Sequence, residues 1–169
     1  MLSQDLRTEH FRQSMRRVAS TVCVISCRHD GCRYGITVTS VTPLSFAPIS
    51  ILVCANRSSS ISVPLKEEGR YCINVLRASQ ADISNSFSGG QPAERRFDIG
   101  EWSEKEDIPY LPSAQANLFC KIDQAISYAT HDIIIGRVVE VAFASDVDPL
   151  IYQNGAYALT SPMVLQKAG

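Results

Sequence analysis

The distribution of apolar residues changes once along the chain, from helical spacing near the start to strand-like runs afterwards. Residues 4–18 or so are predicted to form a helix, because apolar side chains recur there every three or four positions. Those side chains are Leu6 or His10, then Phe11, Met15 and Val18. The rest of the chain is rich in short β-branched runs, which predict strands. The runs cover residues 21–27, 35–42, 49–55, 71–76, 116–126, 132–144 and 156–160.

Two polar segments between these runs carry clear turn or helix signals. The pair Asp30-Gly31 is typical of a hairpin turn, so the strands on either side of it are expected to be antiparallel neighbours. Residues 60–68 predict a short helix, and Gly69 directly after them is a suitable residue to end it.

The second half of the chain adds one helix and one long irregular stretch. Ser79 is a candidate N-cap for a helix that reaches Phe87. Residues 88–112 are rich in Gly, Pro and charge, and a loop of that length usually carries function. Many short strands with few helices indicate a mainly β fold, either a closed barrel or a sandwich with helices at its ends. We expect a single domain over residues 1–169, with the barrel at about 20–160.

Composition and charge narrow the classes of partner. The chain has 169 residues, of which 45% are hydrophobic and 20% charged, with a formal net charge of −1. This balance argues against a nucleic-acid partner, which would require a basic surface. No apolar run approaches the roughly 18 residues that span a bilayer, so no membrane association is expected. The N-terminus is polar from its first residues, and a cytoplasmic location is therefore expected.

The six cysteines are expected to be reduced thiols, and no metal site is predicted. Cys54, Cys72, Cys120 and Cys23 lie in apolar runs, where cysteine behaves as a small hydrophobe. Cys23, Cys27 and Cys32 surround His29, but their spacing does not match paired zinc ligands. The positions of all six are Cys23, Cys27, Cys32, Cys54, Cys72 and Cys120.

The common catalytic motifs are absent, which points to a cofactor as the source of any chemistry. The chain has no GxGxxG after a strand, no Walker A loop, no HExxH and no GxSxG. Its three histidines are scattered at His10, His29 and His131. A protein of this kind would supply placement and electrostatics while a bound cofactor reacts.

Two polar segments are candidates for binding such a cofactor. Residues 35–42 form a strand-like run in which Thr37 and Thr39 share a face. Residues 55–60 follow a buried strand and precede a helix, and they are rich in amide and hydroxyl groups. Such groups suit a phosphate or the uracil-like edge of a flavin. The alternative is an ordinary Ser/Thr-rich strand followed by a loop that only caps the helix.

The order of several motifs resembles the flavin reductase family, the small reductase components of two-component flavin monooxygenases such as 4-hydroxyphenylacetate 3-monooxygenase. The motifs are FRxxMRR, GITVTSV, PISILVCANRSSS, GRYCINVL, a Phe followed by RRF, HDIIIGRVVEV and PLIYxxGxY. They extend over about residues 11–160. The resemblance implies a six-stranded antiparallel split β-barrel, the FMN-binding split barrel, with peripheral helices and a homodimeric assembly.

The resemblance also implies flavin-binding roles for three segments, with FMN or FAD as the flavin. It leaves open whether Arg95 or Arg96 faces the flavin phosphate. The first segment comprises Thr37, Val38, Thr39 and Ser40. The second comprises Cys54, Ala55, Asn56, Arg57, Ser58, Ser59 and Ser60. The third comprises Ser88, Gly89, Arg95, Arg96 and Phe97.

A further set of residues is implied to contact the nicotinamide of NADH or NADPH. His131 matches the histidine before the family's long strand and is the candidate catalytic residue. Ala129-Thr130 precede it here, whereas many family members have Gly-Asp at these positions. The other implied contacts are Tyr152, Asn154, Gly155 and Tyr157.

The expected function is therefore NAD(P)H-dependent reduction of FMN or FAD, with the reduced flavin supplied to a partner monooxygenase. One alternative keeps the flavin bound and reduces another acceptor, such as the cobalt of a corrin (cob(II)yrinate diamide) or another metal complex. A second alternative is a split barrel that binds flavin without catalysis.

Overall fold

The structure, a computed structural model, describes residues 3–163 and is built mainly from antiparallel strands. Within the described residues the α-helices are α1 (Gln4–Met15), α2 (Ser62–Glu68) and α3 (Ala81–Asn85). The strands are β1 (Ser20–Thr21), β2 (Cys23–His29), β3 (Cys32–Val38), β4 (Val41–Phe46), β5 (Ile49–Asn56), β6 (Arg70–Val75), β7 (Ser103–Lys105), β8 (Ile108–Tyr110), β9 (Ala116–Tyr128), β10 (His131–Phe143), β11 (Ile151–Gln153) and β12 (Ala156–Ala158).

The main sheet has the strand order β3-β2-β6-β9-β10-β5-β4 and curls into a barrel. Its two edge strands, β3 and β4, are consecutive in the chain and are separated only by Thr39 and Ser40. A flat sheet of seven strands would place its edges nearly 30 Å apart, because neighbouring strands lie about 4.8 Å apart. Two intervening residues reach only about 11 Å, so the sheet must roll until its edges approach each other.

The predicted fold class is confirmed, with small differences in strand number. The sheet contains seven strands where six were expected, and two smaller sheets accompany it, β1-β11-β12 and the hairpin β7-β8. The turn at Asp30-Gly31 joins β2 to β3 as predicted, and both residues have positive φ. Among residues 3–163 no helix is both long and apolar enough to cross a membrane.

The core consists of the barrel interior and a second cluster at one barrel end. Ile25, Tyr71 and Ile73 have no exposed surface and belong to the interior cluster. In the second cluster the rings of Phe87, Phe97 and Trp102 contact one another in edge or tilted geometry at 4.9–5.1 Å. Burial of each such aromatic side chain contributes about 2–3 kcal/mol.

The helices differ in how firmly they pack. Helix α2 contacts β2 and β6 through buried residues, and Gly69 ends it with φ +66, a left-handed conformation that favours glycine. Helix α1 ends at Met15, three residues earlier than predicted, and none of its residues is buried. The expected cap at Ser79 is wrong. The backbone N–H of Arg77 instead donates to Oε1 of Gln80, whose amide also bonds Ser113.

The stretch at residues 88–112 is less irregular than its composition indicates. It begins within a helical turn at Ser86–Gly90 and contains a second turn at Ala93–Asp98 and the hairpin β7-β8. Asn74 holds this segment to the barrel, because its Oδ1 accepts from the Leu111 N–H at 2.8 Å and its Nδ2 donates to Val24 O and Ser26 Oγ. A buried network of this kind fixes one arrangement of the strands it joins.

Four cysteine side chains, Cys23, Cys27, Cys72 and Cys120, are buried, Cys54 is half-buried and Cys32 is exposed. Burial raises the pKa of the Cys23 and Cys27 thiols to about 12, which keeps them protonated. Cys54 is less buried than its apolar surroundings indicate because it lies near the rim, where β5 ends.

Candidate functional site

A cleft of about 400 Å³, here called the central cleft, lies where the end of β3 meets the β11-β12 hairpin. Tyr152 and Tyr157 are cross-strand partners with ring centroids 5.8 Å apart, and they form one wall. The hairpin turns at Asn154-Gly155, both with positive φ, as expected for this turn sequence. The lining residues are Val22, Thr37, Val38, Thr39, Ser84, Asn85, Ser88, Tyr152, Gly155, Ala156 and Tyr157.

Hydrogen bonds from α3 hold the two walls of the central cleft together. The Thr37 hydroxyl donates to the Ser84 carbonyl oxygen at 2.7 Å. The Tyr157 hydroxyl lies 2.8 Å from Ser84 Oγ and 2.7 Å from Asn85 Oδ1. Helix α3 is therefore bonded to β3 on one side and to the hairpin on the other.

The central cleft unites residues that the sequence assigned to two different ligands. Four of the residues implied to bind flavin line it, and so do three of those implied to contact nicotinamide. The former are Thr37, Val38, Thr39 and Ser88; the latter are Tyr152, Gly155 and Tyr157. The two groups come from distant parts of the chain and meet only through the fold.

The polar loop after β5, residues 56–60, folds around its own first side chain. Oδ1 of Asn56 accepts from both the N–H and the hydroxyl of Ser58, each at 2.9 Å. The Ser59 hydroxyl donates to the Asn56 carbonyl oxygen at 2.6 Å. This Asx turn leaves the Asn56 amide NH₂ as the donor of that side chain.

The polar loop adjoins the Thr37–Ser40 segment at the barrel rim. The Cys54 N–H donates to the Ser40 carbonyl oxygen at 3.2 Å, and the Ser40 hydroxyl donates to the Cys54 carbonyl oxygen at 2.9 Å. The first two segments implied to bind flavin are thus continuous on the surface. Ala55 differs, because it is buried in the barrel and pairs with Asp132 of β10.

Of the two candidate arginines, Arg96 is the one that faces the polar loop. Its Nη1 donates to the Gly35 carbonyl oxygen at 3.0 Å and to Ser60 Oγ at 3.1 Å. Arg95 points away and pairs with Asp98 at 3.4 Å on the surface. Phe97 is buried in the aromatic cluster, so its ring fixes the segment that carries Arg96.

His131 lies opposite the first residue of the polar loop, because β10 pairs with β5 in the register His131↔Asn56. The turn before it contains Ala129 with φ +48, a conformation in which the glycine of other family members would be unstrained. The Thr130 hydroxyl lies 2.9 Å from His131 Nδ1. His131 is exposed and does not line the central cleft, so the sequence-implied contact with nicotinamide stays a prediction.

Asp132, which the sequence-based reasoning did not single out, organises the buried side of the polar loop. It is 1% exposed, and its carboxylate accepts from Lys66 Nζ at 2.8 Å and Ser127 Oγ at 2.6 Å. Arg57 Nε lies 3.9 Å away. The Lys66 ammonium and then the Ser127 hydroxyl hold the pKa of Asp132 below its ordinary value. Its position directly after His131 is the one sequence signal that could have identified it.

The remaining candidates are dispersed around these features. Gly89 has φ +107 in the turn beside Ser88. Asn154 lies in the turn of the hairpin and lines a neighbouring cleft. Ser84 and Asn85 line the central cleft but carried no local sequence signal, since nothing in their surroundings distinguishes them from other helix residues.

The family is clear once these features are compared with known proteins. Residues 15–161 match the model of the flavin reductase like domain. The chain therefore belongs to the flavin reductase family.

Individual relatives agree with this assignment over most of their length. The chain is 38% identical over 157 residues to the reductase component of FADH(2)-dependent resorcinol hydroxylase from Rhizobium sp. strain MTP-10005, covering 91% of this chain and 88% of the relative. It is 37% identical to the FMN reductase (NADH) RutF of Pseudomonas syringae, covering 87% and 83%. A flavin reductase domain protein from Arthrobacter sp. FB24 superposes with a TM-score of 0.86 at 26% identity, covering 94% and 99%.

Proposed function

We propose that this protein is a flavin reductase that transfers a hydride from NADH or NADPH to FMN or FAD and supplies the reduced flavin to a partner monooxygenase. The observation that carries the proposal is the central cleft, where the segment expected to bind flavin faces the hairpin expected to bind nicotinamide. The two relatives are named as a hydroxylase reductase component and as an FMN reductase, which supports the same function.

The side chains around the central cleft and polar loop fit a flavin in chemical character. Thr39 and Ser40 are exposed at the rim, where hydroxyl groups suit the polar edge of the ring. Arg57 belongs to the polar loop and Arg96 lies beside it, and guanidinium groups suit a phosphate because they donate in a planar fork. A bound flavin supplies the hydride acceptor, so the protein needs no nucleophile or base of its own.

The chain's own residues would act chiefly by placement. The Thr37–Ser40 segment holds one ring against the barrel rim, and the tyrosine wall of Tyr152 and Tyr157 limits where a second ring lies. Because α3 is hydrogen-bonded to both walls, their separation is fixed before any ligand arrives. Such preorganisation is the usual way for a protein to accelerate a transfer between two bound partners.

The relatives favour particular cofactors within this class. The name of the Pseudomonas relative specifies NADH, which supports NADH as the donor here. The two relatives name different flavins, FMN in one and FADH(2) in the other. Either flavin is therefore a candidate substrate. A hydroxylating monooxygenase is the candidate partner.

Steady-state oxidation of NADH and NADPH with FMN and with FAD tests the proposal. We expect turnover with at least one of the four combinations, and no turnover with any of them would refute the enzyme assignment. Thr39→Ala should raise the flavin Kd about fivefold or more through loss of a hydrogen bond at the cleft. Thr42→Ala, an exposed threonine on β4 outside the cleft, is the matched control and should leave the Kd unchanged.

A further inference from the structure

A second cleft of about 380 Å³, here called the α1 cleft, opens between helix α1 and the turn of the β11-β12 hairpin. It shares three lining residues with the central cleft, Thr39, Tyr152 and Gly155. The two clefts therefore adjoin along one edge of the hairpin. A ligand with one end in the central cleft has a direct path over this edge into the α1 cleft.

The wall formed by α1 is fixed, although no residue of the helix is buried. The Asn154 N–H donates to the Arg16 carbonyl oxygen at 2.9 Å. The Gln153 amide donates to the Arg17 carbonyl oxygen at 3.4 Å. These bonds attach the end of the helix to the hairpin turn, so the residues just before them keep a defined position over the cleft.

The α1 cleft combines cationic and flat apolar side chains. Arg12 and Arg16, one helical turn apart, line it beside Phe11 and Met15. Arg12 has only a long, exposed contact with Glu9 at 3.8 Å, which contributes little. Within residues 3–163 no carboxylate pairs with Arg16. Phe11 is 66% exposed, so its side chain is accessible to a ligand in the cleft.

We propose that the α1 cleft binds the adenosine diphosphate part of a dinucleotide, with Arg12 and Arg16 at the phosphates and Phe11 against the adenine. Guanidinium groups bind phosphate oxygens through paired charge-assisted hydrogen bonds, and aromatic rings stack on bases. The proposal rests on the proposed function, because it assumes that the reactive end of the dinucleotide occupies the central cleft. Two sources share this chemistry: the nicotinamide dinucleotide and FAD.

Direct binding of ADP, measured by titration calorimetry, tests the site without reference to turnover. Wild type should bind ADP, and the double variant Arg12→Gln/Arg16→Gln should bind it at least tenfold more weakly. Arg17→Gln is the matched control, because the Arg17 guanidinium bonds the Gln13 carbonyl oxygen and does not line the cleft. Absence of ADP binding by wild type, or equal affinity in the double variant, would overturn the proposal.

Kinetics with truncated substrates distinguish the two sources. If the nicotinamide dinucleotide supplies the adenosine diphosphate, the double variant should raise the KM for NADH and not that for reduced nicotinamide mononucleotide. If FAD supplies it, the variant should raise the Kd for FAD and not that for FMN. If wild type binds ADP but shows no turnover, the proposed function is refuted while the ADP site is still supported. If the double variant loses ADP binding and also changes its sedimentation mass, the α1 cleft would be a contact with a second copy of the chain, and the proposal would be overturned.

Discussion

At the scale of single residues, Asp132 has the most connections of the charged groups near the site. Its carboxylate is bonded to Lys66 of α2 and Ser127 of β9, and it lies beside Arg57 of the polar loop. Three elements around the candidate phosphate position therefore depend on one buried negative charge. Removing the charge leaves Lys66 without its partner, but that side chain is about one-third exposed and water can solvate it.

We expect Asp132→Asn to lower the free energy of unfolding by about 2 kcal/mol at neutral pH, somewhat less than for a fully buried pair. The folded-state pKa of Asp132 is lowered. Asp132 therefore contributes to stability above its unfolded-state pKa of about 4, and this contribution is lost as pH falls through its folded-state pKa. Urea unfolding from pH 7 to pH 3 should show the difference from wild type shrinking. Asp123→Asn, which breaks the surface pair with Arg137, should change stability much less than Asp132→Asn.

His29 gives the opposite dependence on pH. It is bonded to Glu68 at 3.0 Å and lies near Glu67 and Asp30. The hydrogen bond to Glu68 is the main cause that raises the pKa of His29; burial opposes it, and the nearby carboxylate charges each add a smaller raising effect. His29 therefore contributes fully to stability below its unfolded-state pKa of about 6.5, and this contribution is lost as pH rises through its folded-state pKa.

The stability advantage of wild type over His29→Gln should thus be larger at about pH 5.5 than at about pH 8.5. Denaturant midpoints at the two pH values measure it. His10→Gln on the exposed helix α1 is the control, and the ion pairs of the described residues do not include it. An advantage that is the same at both pH values would show that the His29 cluster does not stabilise the imidazolium.

At the scale of elements, local signals predicted most of the strands and the turns between them. The pair Asp30-Gly31 and the helix-ending Gly69 act through their own backbone conformation, so the sequence is sufficient to locate them. The short strands β7, β8 and β11 were missed, because three residues carry too little alternation to be distinguished from a loop. The single run predicted over residues 35–42 is divided between β3 and β4. The cap predicted at Ser79 failed because the helical turn begins earlier, at Arg77, whose N–H donates to the Gln80 side chain.

The site shows the same division between local and long-range information. The polar loop after β5 could be identified from its composition, and its Asx turn is a local structure. The family resemblance was needed to connect residues 37–40 with residues 152–157, which are more than a hundred positions apart. Ser84 and Asp132 owe their roles to contacts with Thr37 and Lys66, and such contacts exist only after the barrel has closed.

Asn74 is the clearest case of one side chain that joins several elements. From β6 it bonds β2 through Val24 and Ser26, and it bonds the segment after β8 through Leu111. We expect Asn74→Ala to lower the free energy of unfolding by about 3 kcal/mol, because several buried polar groups lose their partner at once. Urea unfolding measures the change, and Gln124→Ala on the exposed part of β9 should stay within about 0.5 kcal/mol of wild type.

At the scale of the whole molecule, one side of the barrel is too apolar for a surface that only meets water. Val141 and Phe143 of β10 are 50% and 79% exposed, and Phe46 at the end of β4 is 87% exposed. β10, β5 and β4 are neighbours in the sheet, and Ile49 at the start of β5 is also exposed. Exposed apolar side chains on these three neighbouring strands, here called the β10–β5–β4 face, suggest an interface, which agrees with the homodimer that the family resemblance implies.

We therefore propose that two copies associate through this face and expect wild type to sediment with twice the 18.6 kDa mass of one chain. Phe143→Glu should shift the mass to that of one chain, because a carboxylate buried in an apolar interface has no partner to offset its desolvation. Leu159→Glu replaces a residue of similar exposure outside this face and should leave the mass doubled. A wild type that sediments as one chain would contradict the dimer, whereas a doubled mass in Phe143→Glu would contradict the choice of face. Since the α1 cleft involves none of these residues, ADP affinity should be unaltered in Phe143→Glu, which separates assembly from ligand binding.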